Sequence, residues 1–150
     1  QNIPLVSFII PTLNAGKWLE CCIVAINNQD YPKDKIEIIV ADAGSTDSTL
    51  KIAKKHQVVL IKNPLILHEP GKTLATAVAK GELLFYTDAD HIIVGKKWLQ
   101  LMIAPYIAFP KVVGLLPQTV PPPDSSSLNR YLGYLFTDPL TWFIGLSFLT

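Results

Sequence analysis

Apolar residues fall into short continuous runs separated by stretches of helical spacing. Leu5–Ile10 is interrupted only by Ser7 and Ile36–Ala41 only by Glu37; Val58–Ile61 and Leu83–Thr87 follow the same pattern. Short apolar runs bounded by turn residues read as buried strands. Between them, Trp18–Asn27 sets Leu19, Cys22, Ile23 and Ile26 on one helical face. Thr46–His56 predicts a second helix, opened by Ser45, Thr46 or Asp47 as its cap. Lys72–Ala79 predicts a third, ending near Gly81. Lys96–Phe109 predicts a fourth, with Leu99, Met102, Ile103 and Tyr106 facing inward. Lys111–Gln118 is a fifth extended run. Val120–Ser127, with three consecutive prolines, reads as a loop or hinge before an apolar tail from Tyr131 to Thr150.

Apolar strands alternating with helices indicate an α/β fold, a parallel sheet covered on both faces. Right-handed crossovers and the length of the third connection suit a strand order of 3-2-1-4. Ligands in such sheets bind beyond the carboxyl ends of the strands, where the order reverses. Topology alone therefore gathers Pro11–Asn14, Asp42–Asp47 and Asp88–His91 around one crevice.

The length of 150 residues suits one domain with a substantial core, expected here over 1–119, with 120–150 leading toward further sequence. A net charge of +1 gives no sign of a nucleic-acid partner. Cys21 and Cys22 are adjacent, which suits neither a disulfide nor a metal site, and they read as reduced in a cytosolic setting. No run reaches the roughly 20 apolar residues of a membrane-spanning helix. The tail is compatible with a membrane surface, with packing under further sequence, or with core. Its abrupt stop suggests a fragment.

The densest candidate chemistry is Asp88-Ala89-Asp90-His91, at the end of an apolar strand. Hard divalent cations take oxygen ligands, often one or two carboxylates plus substrate phosphates. An acidic turn capping the next helix reads equally from these residues. Asp42, after the second strand, can accept a hydrogen bond from a nucleobase or belong to plain turn chemistry. Gly44 permits the tight turn there. Thr12 and the backbone around Pro11 can face a ligand, and Asn14 either joins that loop or caps the first helix. Lys72, in Gly71-Lys72-Thr73 at the expected opening of the third helix, is a natural counter-charge for a diphosphate. His56, His68 and His91 have no mutual metal-ligand spacing.

Gly71-Lys72-Thr73 also raises a phosphate-loop nucleotidase as a rival. That motif needs glycine where Ile66 stands, and Leu67-His68-Glu69-Pro70 is too bulky to wrap a phosphate. An aspartyl-nucleophile phosphotransferase fits poorly too, because its Asp-x-Asp ends the first strand rather than the fourth.

Val6–Asn14, Ile38–Asp47, Gly71-Lys72 and Gly81–Asp90, in that order, resemble the inverting family-2 glycosyltransferases of the GT-A, Rossmann-like fold. The likeness runs from about Leu5 to Trp98. It implies that Thr12 and Asp42 contact the nucleotide base and that Pro11 shapes that pocket. It places Lys72 at the base or diphosphate, Asp88 near the ribose, and Asp90 on Mg²⁺ or Mn²⁺. With Asn14, Gly44 and Ala89 these make up the expected donor site, and Asp88 is the second candidate metal ligand.

Two departures stand out. Ala15-Gly16-Lys17 follows Asn14 where the family often has an acid, and Thr76-Ala77-Val78 replaces a more polar helix segment. After Asp90 the acids are Asp124 and Asp138, neither in a matching motif, so the catalytic base is expected beyond Thr150. The expected activity is transfer of a sugar from a UDP- or GDP-linked donor to an acceptor hydroxyl, with a lipid-linked acceptor among the candidates, at the cytosolic face of a membrane. The alternative is a non-catalytic nucleotide-sugar-binding or interaction module.

Overall fold

The structure is a computed structural model that describes residues 3–109, 111–115, 117 and 124. The chain divides into two compact units, Gln1–Pro105 and Tyr106–Thr150. The first carries the sheet. The element order is β1 (Val6–Thr12), α1 (Leu19–Asn27), a 3₁₀ turn (Lys33–Lys35), β2 (Ile36–Asp42), α2 (Thr49–Lys55), β3 (Val59–Lys62), α3 (His68–Val78), β4 (Leu83–Tyr86) and α4 (Trp98–Ala108). The α4 helix begins in the first unit and ends in the second.

The four strands are parallel in the order β3-β2-β1-β4, as the connection lengths predict. β1 and β2 pair over their whole length, from Val6 with Ile36 to Thr12 with Asp42. β4 pairs only with Val6–Ile9. Pro11 therefore lies on β1 beyond the reach of β4, where its missing N–H disturbs no ladder on that side. This is why β1 runs two residues past the expected Ile10.

Alternation along the strands feeds two cores. Val6, Phe8, Ile10, Ile38 and Val40 pack with Leu19, Cys22, Ile23 and Ile26 of α1, Ile52 of α2, and Leu99 and Ile103 of α4. Ile9, Ile39 and Ala41 face the other way, onto Ala75 of α3. Three helices thus cover one face and α3 the other. The predicted inward face of α1 is buried as read from its spacing. On α4, Leu99 and Ile103 are buried, but Met102 is half-buried and Tyr106 exposed. Apolar residues run almost all round this helix, so spacing alone cannot pick its core face.

Two helix starts differ from expectation. α2 begins at Thr49 instead of Thr46, because Thr46 and Asp47 are held in a loop by side-chain bonds described below. α3 begins at His68, four residues before Lys72. Pro70 sits in its first turn, where a helix has no use for the missing N–H. Among the described residues of 111–117 no strand forms, so the fifth extended run is not a sheet member there. Most of the proline loop, and the tail, lie outside the described residues. Among the described residues no helix is long and apolar enough to cross a membrane.

Candidate functional site

The carboxyl edge of the sheet is organised by two loops laced together. Beyond β1, the backbone N–H of Asn14 donates to Ser45 Oγ, that of Ala15 to Thr49 Oγ1 and that of Gly16 to Asp47 Oδ2, each at 2.8 Å. Asn14 Oδ1 in return accepts the N–H of Thr46 at 2.9 Å. Asn14 thus ties the loops rather than capping α1, whose start has no side-chain cap. Its left-handed backbone, φ +52°, is one that asparagine tolerates. A Cβ at Gly16 would crowd Ser48 Oγ and Asp47 Oδ2, the acceptor of its own N–H. Asp47 Oδ1 accepts the N–H of Thr49 at 2.9 Å and so opens α2. Hydrogen bonds led by those of Thr49 hold its carboxyl below the usual carboxylate range.

Asp42 is the hub of this edge. It is 5% exposed and accepts four hydrogen bonds. Thr12 Oγ1 at 3.1 Å and Ser45 Oγ at 2.5 Å reach Oδ1; the N–H groups of Gly44 and Ser45, both at 2.9 Å, reach Oδ2. Gly44 takes φ +96°, which makes this turn a glycine position. Burial is the largest single influence on the Asp42 carboxyl and pushes its pKa up. The bonds from Ser45, Gly44 and Thr12 together outweigh it and leave the pKa below its ordinary value. A carboxylate offers about four acceptor sites, and here all are filled. A ligand N–H would have to displace one donor, and the Thr12 hydroxyl makes the longest of the four bonds. Pro11 and Thr12 are buried beside it.

The turn after β4 is built differently. Ligand atoms of Asp88, Asp90 and His91 lie within 4.8 Å of one another; Asp88 is half-buried, the others exposed. Among the described residues the Asp90 carboxylate has no hydrogen-bond partner, and the His68 imidazole stands beside Asp88, with Nδ1 3.7 Å from Oδ1. Two carboxylate oxygens and an imidazole suit Mg²⁺ or Mn²⁺, the nitrogen suiting Mn²⁺ better. Ala89, between the acids, turns its side chain into the core at 7% exposure and anchors the turn. From below, the Cys22 thiol approaches the Asp88 carbonyl at 3.9 Å. Desolvation, reinforced by Asp90 and Asp88, pushes that thiol up to about 12, so it stays protonated. Downstream, buried Gln29 donates to the Gly95 carbonyl at 2.8 Å and accepts the N–H of Leu99 at 3.0 Å, fixing the approach to α4.

Lys72 does not open α3. It lies one turn inside and pairs with Glu69, Nζ to Oε1 at 2.9 Å. A helical segment at 68–70 also removes the flexible loop that a phosphate-loop motif needs. His68, twenty residues from Asp88 in sequence, was not legible as a site residue; only the early start of α3 carries it there. Asn63 and Gln29 were likewise missed, since a polar residue in a loop gives no sign of being buried. A shallow depression of about 360 Å³ lies at the opposite, amino-terminal edge of the sheet, near Ile36, Val59 and Lys80, away from all these groups.

The model of Glycosyl transferase family 2 matches residues 7–149. The poly(ribitol-phosphate) β-N-acetylglucosaminyltransferase TarS of Staphylococcus aureus is 34% identical over 93 residues, covering 58% of this chain and 16% of TarS. The dolichyl N-acetyl-α-D-glucosaminyl phosphate 3-β-D-2,3-diacetamido-2,3-dideoxy-β-D-glucuronosyltransferase of Methanococcus voltae is 46% identical over 52 residues, covering 35% of this chain and 16% of its own. Among solved structures, the mannosyltransferase PcManGT of Pyrobaculum calidifontis, in complex with GDP-Man and Mn²⁺, has a TM-score of 0.67 at 29% identity. It covers 73% of this chain and 34% of that one. TarS 1–349 in complex with UDP has a TM-score of 0.62 at 27% identity, covering 79% and 38%. The match spans between 16% and 38% of the length of these relatives. The parallel sheet and these neighbours establish the GT-A fold.

Proposed function

Because the chain belongs to glycosyl transferase family 2, we propose that it binds a nucleoside-diphosphate sugar at the carboxyl edge of its sheet and passes the sugar, with inversion, to an acceptor hydroxyl. The observation that carries this reading is the placement of Thr12 and Asp42 at, and Asp88–His91 beyond, the carboxyl ends of adjoining strands. One turn is rigid and rich in polar groups, the other is acidic and open. The solved relatives hold GDP-Man with Mn²⁺ and UDP, which are ligands with these same parts.

In this reading Pro11 and Thr12 wall the base pocket, and Asp42 takes a base N–H in place of the Thr12 hydroxyl. Asn14 and Gly44 hold the shape of that pocket. Asp88 faces the ribose, and Asp90, with Asp88 and His91, holds Mg²⁺ or Mn²⁺. The bound cation would supply Lewis-acid stabilisation of the departing nucleoside diphosphate. Lys72, once released by Glu69, adds a positive charge to the diphosphate. An inverting transfer also needs a carboxylate to take the acceptor proton. The lipid phosphate in the name of the Methanococcus relative supports a lipid-linked acceptor. Work at the cytosolic face of a membrane is proposed with it.

Calorimetry with UDP, GDP and their sugars, with and without Mn²⁺, tests the donor site. Metal-dependent binding is expected, and Asp90→Asn should weaken it by at least ~10–100-fold without changing the melting temperature. Failure to bind any of these ligands with metal present removes the reading. Binding without transfer to any acceptor would leave a nucleotide-sugar-binding module.

A further inference from the structure

Pro64-Leu65-Ile66-Leu67, between β3 and α3, exposes three successive apolar side chains: Leu65 at 65%, Ile66 at 59% and Leu67 at 68%. Ile66 has φ +64°, a left-handed backbone that β-branched residues rarely adopt. Strain of this kind persists only where the surroundings over-determine it, and it gathers at ligand sites.

The surroundings do so here through Asn63, which is 2% exposed. Its Oδ1 accepts the N–H of Leu65 at 3.2 Å, and its Nδ2 donates to the Leu67 carbonyl at 2.8 Å. Ile66 is therefore pinned from both sides. Gly71 lets α3 close on this clamp, since a Cβ there would lie 2.9 Å from Asn63 Nδ2.

Both ends of the segment touch the candidate site. The backbone N–H of Asn63 donates to the Asp42 carbonyl at 2.7 Å. At the far end, His68 stands 3.7 Å from Asp88. The apolar residues connect these anchors along the chain, and β3 ends level with Asp42, so the segment leaves the sheet at the same carboxyl edge as the two acidic turns. Sugar and diphosphate ask for polar partners. The one part of a nucleoside-diphosphate sugar with broad apolar surface is the face of its base.

We infer that Leu65-Ile66-Leu67 is a pre-strained apolar lip that packs on the ring face of the donor's nucleobase, with Asn63 as its positioning residue. This rests on the donor site proposed above. A lip of aliphatic side chains grips any flat base and leaves the choice of base to the polar groups at Thr12 and Asp42.

The test is Ile66→Gly in the full chain, with Ile66→Asn as a second variant that also tolerates the left-handed backbone. Relief of strain should raise the melting temperature by about 2–4 °C. Affinity for UDP or GDP with Mg²⁺ should fall by about tenfold. Affinity for pyrophosphate with Mg²⁺, which has no base, should change less than about twofold, on the same contact argument.

Unchanged UDP and GDP affinity overturns the inference while leaving the donor site standing. An equal loss for pyrophosphate overturns the assignment to the base. A melting temperature that falls together with both affinities makes the segment structural only. Loss of sedimentation with phosphatidylglycerol vesicles, with nucleotide binding intact, would assign the lip to a lipid surface. If the unaltered chain binds neither UDP nor GDP, the donor-site reading itself is lost and the inference with it.

Discussion

The Asp42 turn and the Asp88–His91 turn follow the two strands that flank β1, yet one is closed on itself and the other is open. Asp42 accepts four hydrogen bonds from its own and the adjoining loop. Asp90, among the described residues, accepts none and stands exposed beside Asp88 and His91. The two regions spend the same functional group differently. A saturated carboxylate holds backbone in place and stabilises the fold. A pair of carboxylates without hydrogen-bond donors keeps its oxygens free for a cation. A rigid half and a responsive half along one edge of the sheet suit a ligand with a flat, neutral end and a charged end.

The sharpest way to break this contrast is truncation at Asp42. Asp42→Ala would leave two N–H groups and two hydroxyls without their acceptor at a buried position. The expected loss is about 2–4 kcal/mol of folding stability, read from urea unfolding. Asp42→Asn keeps one acceptor oxygen and should lose about half as much. Substituting Asp90 should leave the unfolding midpoint where it was. Equal destabilisation at both positions would show that the second turn is also held by its acids.

Acid sharpens the same comparison more gently. The folded-state pKa values of Asp42 and Asp47 are both lowered. A lowered carboxyl contributes stability that is fully present above its unfolded pKa, about 3.9, and is lost as pH falls through the folded value. The melting temperature should therefore hold from neutrality down to about pH 5, as far as these two groups govern it, and decline below about pH 4. The Asp42→Ala variant should show a flatter decline, and an unchanged acid limb in that variant would remove Asp42 as a cause.

Much of the rigid half was legible beforehand, and less of the responsive half. Strand order followed from the lengths of the connections, and the buried face of α1 from its spacing. The acids at strand ends were found because parallel sheets bring the ends of β1, β2 and β4 to one edge. What could not be read were contacts made by loop residues across the fold. The side chains of Asn14, Ser45 and Asp47 compete with helix formation for backbone N–H groups, which delays α2 to Thr49. His68 reaches Asp88 only because α3 begins a turn early, with Pro70 tolerated in its first turn. Asn63 looks like any turn asparagine until its burial is seen.

Lys72 stands between the two regimes, since its charge is paired but not buried. Its ammonium lies 2.9 Å from the Glu69 carboxylate, with side-chain exposures of 28% and 80%. An ion pair this exposed is worth under about 1 kcal/mol. In the proposed donor site this pair would exchange for a diphosphate at little cost, with Glu69 as a weak internal competitor. Glu69→Gln should raise affinity for UDP or GDP with Mg²⁺ by about two- to threefold and lose a few tenths of a kcal/mol of stability, because it also removes an acid from the first turn of α3. The gain should shrink in high salt, where exposed charges are screened. Combined with Lys72→Met the gain should vanish, since the competitor would then have nothing to release. A gain that survives without Lys72 would mean that Glu69 repels the diphosphate directly, and Lys72 would leave the donor site.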